Sequence, residues 1–138
     1  MVLAIAAICF VWFGMVLAIS FIEAPLKFRA PGITLPLGLG IGRIVFRALN
    51  TVEVLLGAAI LLLAVLAGGW QGGYGYLVIA ALMLVAQLGV ILPKLHKRSD
   101  AVLAGNVSEQ RSQVHWVYVG ADAVKVFALL LAGISLLT

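Results

Sequence analysis

Four long apolar stretches divide the chain, at about residues 2–22, 44–67, 75–93 and 114–137. A bilayer crossing takes about 20 mostly apolar residues, so each stretch predicts a transmembrane helix with some tilt. Residues 1–138 then make one all-α transmembrane domain, a polytopic bundle of four spans. The run Glu23 to Arg43 is too apolar for an ordinary solvated loop, and Pro25, Pro31 and Pro36 interrupt any long helix there. It predicts a short interfacial segment at headgroup level between helices 1 and 2, leading through Gly38, Gly40 and Gly42 into the second span. Gly68 to Gly75 is short and uncharged, with Trp70, Tyr74 and Tyr76 as interfacial aromatics, so spans two and three form an antiparallel hairpin. Pro93 ends the third span, and the connection from Ser99 to Gln113 faces water. The first stretch superficially resembles a signal peptide. No Lys or Arg precedes it, and it exceeds an h-region of about 7–15 residues, so a retained span is expected.

Against this background the polar positions are ordered. His115, Tyr118, Asp122 and Lys125 fall within a sector of about 80° at helical spacing, and Arg111 extends the stripe. In the second span Arg43, Arg47 and Asn50 lie within about 60°, with Glu53 about 60° further round. The third span has one strongly polar residue, Gln87. A charge near the middle of a span costs about 2.5–3.5 kcal/mol on insertion scales, so such residues are paired or functional. A network of Arg47, Glu53, Asp122 and Lys125, with Asn50 and Tyr118 as hydrogen-bonding members, would neutralise all four charges. Asp122 and Lys125 are also placed to pair along their own helix. Three outcomes stay open: a dry ion-pair cluster that fixes register, a hydrated cavity that binds a substrate or ion, or polar residues at a subunit interface. Arg43, Gly40, Gly42 and Lys27 are candidates for contact with an anion or lipid headgroup. Close backbone packing is the plainer role of those glycines, and Gly-x-Gly-x-Gly is not a dinucleotide fingerprint.

Composition sharpens the class. Hydrophobic residues make up 64% and charged residues 10%, against about 25% charged in soluble domains. The net charge of +4 comes from basic residues flanking spans, which points to topology and anionic lipid headgroups rather than nucleic acid. Lys27, Arg29, Arg43 and Arg47 flank one connection and Lys94, Lys97, Arg98 and Arg111 another, while the middle turn has no Lys or Arg. Positive-inside therefore predicts both basic loops in the cytoplasm and an N-out, C-out protein of the plasma membrane, a bacterial inner membrane. Cys9 is the only cysteine, so no intrachain disulfide forms. His96 and His115 show no recognisable metal-ligand spacing, and no cofactor is expected. Four helices enclose little volume, which predicts a homo-oligomer, a dimer being simplest.

Gly14, Ala24-Pro25 and Phe28, then Gly40-Ile41-Gly42 and Phe46, with His115 opening the last span, resemble the domain-of-unknown-function 4149 and transmembrane-protein-205-like group of small four-helix membrane proteins. The resemblance lies mostly within residues 14–50. It implies a four-helix topology and little about activity, some members being loosely linked to drug or metal resistance. The last helix departs from that group, with Tyr118, Asp122 and Lys125 where a serine and an asparagine are usual. The leading expectation is a transporter or channel for a proton, ion or small polar solute, using a polar cavity between helices 2 and 4. The alternatives are a membrane enzyme or redox subunit acting on a lipid-soluble substrate, and a non-catalytic accessory subunit. No nucleophile motif is present and no catalytic residue is assigned.

Overall fold

A computed structural model gives the fold and describes residues 1–91, 93, 97 and 113–138. The described residues are all helical apart from short turns, and no strand occurs among them. Helix α1 runs over Val2–Val16 and continues through a π-helical stretch, Leu17–Glu23, a single α turn, Ala24–Leu26, and a 3-10 turn, Lys27–Arg29. The continuous helical segment is Val2–Arg29, 28 residues. Helix α2 is Leu35–Ala67, and α3 is Tyr74–Ala86 extended by a π-helical turn, Gln87–Ile91. Helix α4 is Gln113–Leu137. The expected basic connection with Lys94, His96, Arg98 and Arg111 lies outside the described residues, as does the side chain of His115.

The segment between the first two spans corrects the sequence reading. Residues 23–29 continue α1, and residues 35–43 already belong to α2, so the connection shrinks to residues 30–34. Pro25 is tolerated because the chain widens into π-helix just before it. The Ala24 N–H bonds back to the Ile19 carbonyl, five residues away, which makes room for the pyrrolidine ring. Pro36 sits in the first turn of α2, where a missing N–H costs nothing. Thr34 caps that turn, its hydroxyl accepting from the Leu37 N–H at 3.2 Å. The turn into α3 is as short as expected. Gly68 and Gly69 reverse the chain with φ of 69° and 77°, a conformation that a side chain would strain.

Helix α1 packs against both α2 and α4, and α4 packs against both α1 and α3. Trp12 lies over Gly57 and Lys27 over Gly42, so α1 runs antiparallel to α2. Three small residues permit the closest approaches. A methyl group at Gly38 would run into the Phe28 ring, one at Gly42 would come 2.5 Å from the Lys27 ammonium, and one at Gly133 would come 2.7 Å from the Phe10 ring. Gly42 meets the tip of the Lys27 side chain rather than another backbone, and Gly40 faces open space, so the close backbone packing expected of these two glycines is not seen.

The surface is inverted relative to a soluble protein. Ile44 (74% exposed), Val65 (69%) and Phe127 (65%) point outward, while Glu53, Gln87, Asp122 and Lys125 are buried. Exposed apolar surface of this extent is stable against lipid. Three helical segments, Val2–Arg29, Leu35–Ala67 and Trp116–Leu137, are long and apolar enough to cross a membrane, and Tyr74–Gly89 is a shorter apolar helix. Because Gly133 has no room for a larger side chain, Gly133→Leu should lower stability by about 1–3 kcal/mol through overpacking. Gly40→Ala, with open space around its new methyl group and a better helix former in place, should raise it by about 0.5–1 kcal/mol. Thermal unfolding of the two variants in one detergent checks the contrast.

Candidate functional site

The interior charges converge on Lys125. Its Nζ lies 2.8 Å from Glu53 Oε1 and 3.0 Å from Oε2, 3.1 Å from Asp122 Oδ1, and 2.6 Å from Gln87 Oε1. Each contact has a local cause. Asp122 and Lys125 are three residues apart on α4 and share its inner face. Glu53 stands about five turns into α2, on the side turned toward α1 and α4. Gln87 stands where α3 widens into its π-helical turn, a distortion common at functional positions.

Two further side chains complete the shell around the carboxylates. Trp12 of α1 donates its indole N–H to Glu53 Oε1 at 3.1 Å. Gln87 Nε2 donates to Asp122 Oδ1 at 2.7 Å and to the Tyr118 carbonyl at 3.3 Å. Both oxygens of Glu53 are therefore engaged. Asp122 Oδ2 is buried and has no hydrogen-bond partner. Lys125, Glu53 and Gln87 are 0% exposed and Asp122 1%, so one ammonium and two carboxylates share a closed site.

One helical turn toward the Arg43 end of α2 lies a second polar layer. The Tyr118 hydroxyl donates to Asn50 Oδ1 at 3.4 Å, while Asn50 Nδ2 is buried without a partner. The Tyr118 ring meets Phe46 edge-on at 5.8 Å, and Lys27 Nζ lies 5.8 Å from the Phe46 ring centre and 5.5 Å from that of Phe28. These are cation–π distances, so aromatic faces partly compensate the Lys27 charge.

Of the residues singled out from sequence, Glu53, Asp122 and Lys125 meet, and Asn50 and Tyr118 meet beside them. Arg47 does not join them. Its side chain is exposed, because its place on α2 turns it outward, and the cation that answers Glu53 is Lys125. Arg43 is half-buried. Gly40 and Gly42 are well inside α2, past the first turn whose N–H groups are unpaired, so they offer no backbone cradle for an anion. Lys27 does lie beside Gly42. Gln87 and Trp12 were not picked out as site residues. Gln87 carried a signal, as the sole strongly polar side chain of its span. Trp12 carried none, since nothing in a uniformly apolar helix marks which face meets a carboxylate. Among the described residues no group of His, Cys, Asp and Glu could hold a metal ion.

The geometry thus defines a class: the described residues are helical, with three helices among them of membrane-crossing length and a paired charge cluster in their interior. No family model, curated protein or solved structure matches this chain.

Lys125→Met would leave two carboxylates buried without their cation. It should destabilise by about 3–5 kcal/mol, the usual result of removing one partner of a buried pair. Adding Glu53→Gln should recover part of that loss. Detergent unfolding of the single and double variants measures the coupling, and a double variant no better than Lys125→Met would show that the pair is not the linked unit.

Proposed function

We propose that this chain is a small polytopic membrane protein that carries a proton or a small monovalent cation, and that the Glu53–Asp122–Lys125–Gln87 cluster is its binding site in a closed state. The observation that supports this most is charge balance. With both carboxylates ionised the enclosed site holds net −1, and an uncompensated charge inside a span is costly. One proton or one small cation restores neutrality, and Asp122 Oδ2 is the oxygen left open to accept it. Glu53, held by Lys125 and Trp12, is the fixed counter-charge in this reading. Asn50 and Tyr118 orient the approach to the site.

In the same reading Tyr74–Gly89 belongs to a fourth crossing. The protein then sits N-out and C-out in a bacterial inner membrane as a homodimer, with Lys27, Arg43 and Arg47 near anionic headgroups.

A lipid-soluble substrate has one observation in its favour. An apolar groove of about 270 Å³ opens between α1 and α2, lined by Met15, Ile19, Ile44, Val45, Ala48, Leu49 and Val52. None of these side chains can do acid–base work, and Asn50 and Glu53 turn to another face of α2. The groove therefore brings no reactive group to an occupant.

The test is flux in proteoliposomes under imposed pH, Na⁺ and K⁺ gradients. Wild-type protein should dissipate at least one of these gradients faster than protein-free vesicles. Asp122→Asn, nearly isosteric, should fall to the protein-free rate while keeping its elution profile and unfolding temperature. Wild-type flux indistinguishable from empty vesicles under every gradient would rule the proposal out.

A further inference from the structure

The charge cluster divides the interior into two unlike halves. On the side of the N-terminus of α1, the buried residues include Ile5, Ala6 and Cys9 of α1, Ile60 of α2, Ala80 and Leu84 of α3, and Val126, Leu129 and Ala132 of α4. All are apolar and belong to one continuous core. Along α4 this core extends from Val126 to Leu136, about 15 Å at 1.5 Å per residue. On the other side, toward Lys27 and Arg43, the next buried layer sets Asn50 and Tyr118 beside the apolar Val16 and Leu49.

Unpartnered buried polar atoms follow the same division. Among the described residues five side-chain atoms are buried without a hydrogen-bond partner: Ser20 Oγ, Glu23 Oε2, Asn50 Nδ2, Tyr74 Oη and Asp122 Oδ2. Four of them lie in the charge layer or on its Lys27 side. Only the Tyr74 hydroxyl lies on the far side, at the outer end of α3. Buried polar groups are normally satisfied by protein or by water, so such atoms mark where water is accommodated. Asn50 (5% exposed) and Asp122 (1%) bring theirs to either side of Tyr118, which is bonded to Asn50 through its hydroxyl and to Gln87 through its carbonyl.

We infer that the cluster is reached from one side only: a polar route runs from the Lys27–Arg43 end past Asn50 and Tyr118 to Asp122, with the Tyr118 ring against Phe46 as its closure. The species that fits this route is a proton carried by water, or a small monovalent cation. An anion would meet both carboxylates, and a large solute has no room between paired side chains 2.6–3.4 Å apart. The Asn50 amide and the Tyr118 hydroxyl are positioning groups, and Asp122 is the group that loads. The far side stays sealed by apolar packing. This inference takes the nature of the passing species from the proposed function, but the sidedness of the route stands on the two unlike halves alone.

The experiment reads access without flux. Cys9 is the only cysteine and is fully buried, so Cys9→Ala supplies a cysteine-free background. Asn50→Cys and Ala128→Cys are made in it, with Arg29→Cys as an exposed marker of the Lys27 end. Each is treated, in sealed vesicles of known orientation, with Ag⁺, a thiol-reactive monovalent cation small enough for the route, applied from one side at a time and read as loss of maleimide labelling after denaturation. Asn50→Cys should react from the side on which Arg29→Cys reacts and not from the other, and Ala128→Cys from neither. Tyr118→Ala should speed the Asn50→Cys reaction, whereas Tyr118→Phe, which keeps the ring, should change it far less. Should Asn50→Cys not yield a monodisperse protein, Tyr118→Cys serves as the probe of the same layer.

An inert probe in the Asn50–Tyr118 layer would overturn the route, and so would a reaction of Ala128→Cys from the far side. One-sided labelling in a protein that passes no ions would sink the transport reading and leave the route standing. Ion flux with an inert Asn50–Tyr118 layer would do the reverse.

Discussion

The fold depends on one bond between helices that hardly touch. Helix α2 packs along α1 and has little backbone contact with α4. Yet Glu53 and Lys125 bridge that gap with both carboxylate oxygens on one ammonium, at 2.8 and 3.0 Å. Between two apolar helices, van der Waals packing alone gives a weak preference for any particular rotation, because lipid tails are as apolar as leucine. The long-reaching ion pair, backed one turn away by the Tyr118–Asn50 bond, removes that freedom. Turning α2 about its axis or sliding it by one turn would leave Glu53 facing hydrocarbon, at a cost larger than any packing gained.

That linkage explains why Trp12 and Gln87 are where they are. An ion pair in low dielectric is stable only if its remaining lone pairs and protons are satisfied. Trp12 comes from α1 and Gln87 from α3, so every helix of the bundle contributes a donor or acceptor to the same site. Gln87 suits the position between Lys125 and Asp122, since its carbonyl accepts from the ammonium while its amide donates to the carboxylate. A leucine there would fill the space and leave both partners under-bonded.

Much of this could be read from the chain. Apolar runs located the helices, and the i, i+3 and i+4 spacing of Tyr118, Asp122 and Lys125 placed them on one face before any partner was known. Other features were not legible, each for a physical reason. Proline and glycine between residues 25 and 42 signal a broken chain when each is weighed by itself. Here Pro25 is absorbed by π-helical widening and Pro36 by its place in a capped first turn, and both exceptions are set by neighbours. Arg47 belongs to the charge network the sequence predicts, although it is too far from Glu53 along α2 for an i,i+4 pair. A helix turns about 600° between them, and a residue beside lipid or solvent gains nothing by being nearby in sequence. Which cation meets Glu53 is decided by helix packing, a long-range fact that no local pattern carries.

The same packing gives the site its polarity. Toward the start of α1 the small residues Ala6, Ala80, Ala128 and Ala132 let the helices close tightly, and α1 and α3 both press on α4 there. Toward Lys27 and Arg43 α1 widens into its π-helical stretch, and beside the aromatics Phe46 and Tyr118 side chains such as Asn50 and Ser20 have buried polar atoms without partners. The apolar half excludes water, and the half with unpaired polar atoms can admit it. A charge layer set between them behaves differently on its two faces, and this asymmetry arises from residue size along four helices before any ion is considered. It also separates two roles that look alike in a static cluster. A dry register device is best sealed on both sides, whereas a site that exchanges a charge needs one side that can open, and only the Asn50–Tyr118 side has the composition to do so.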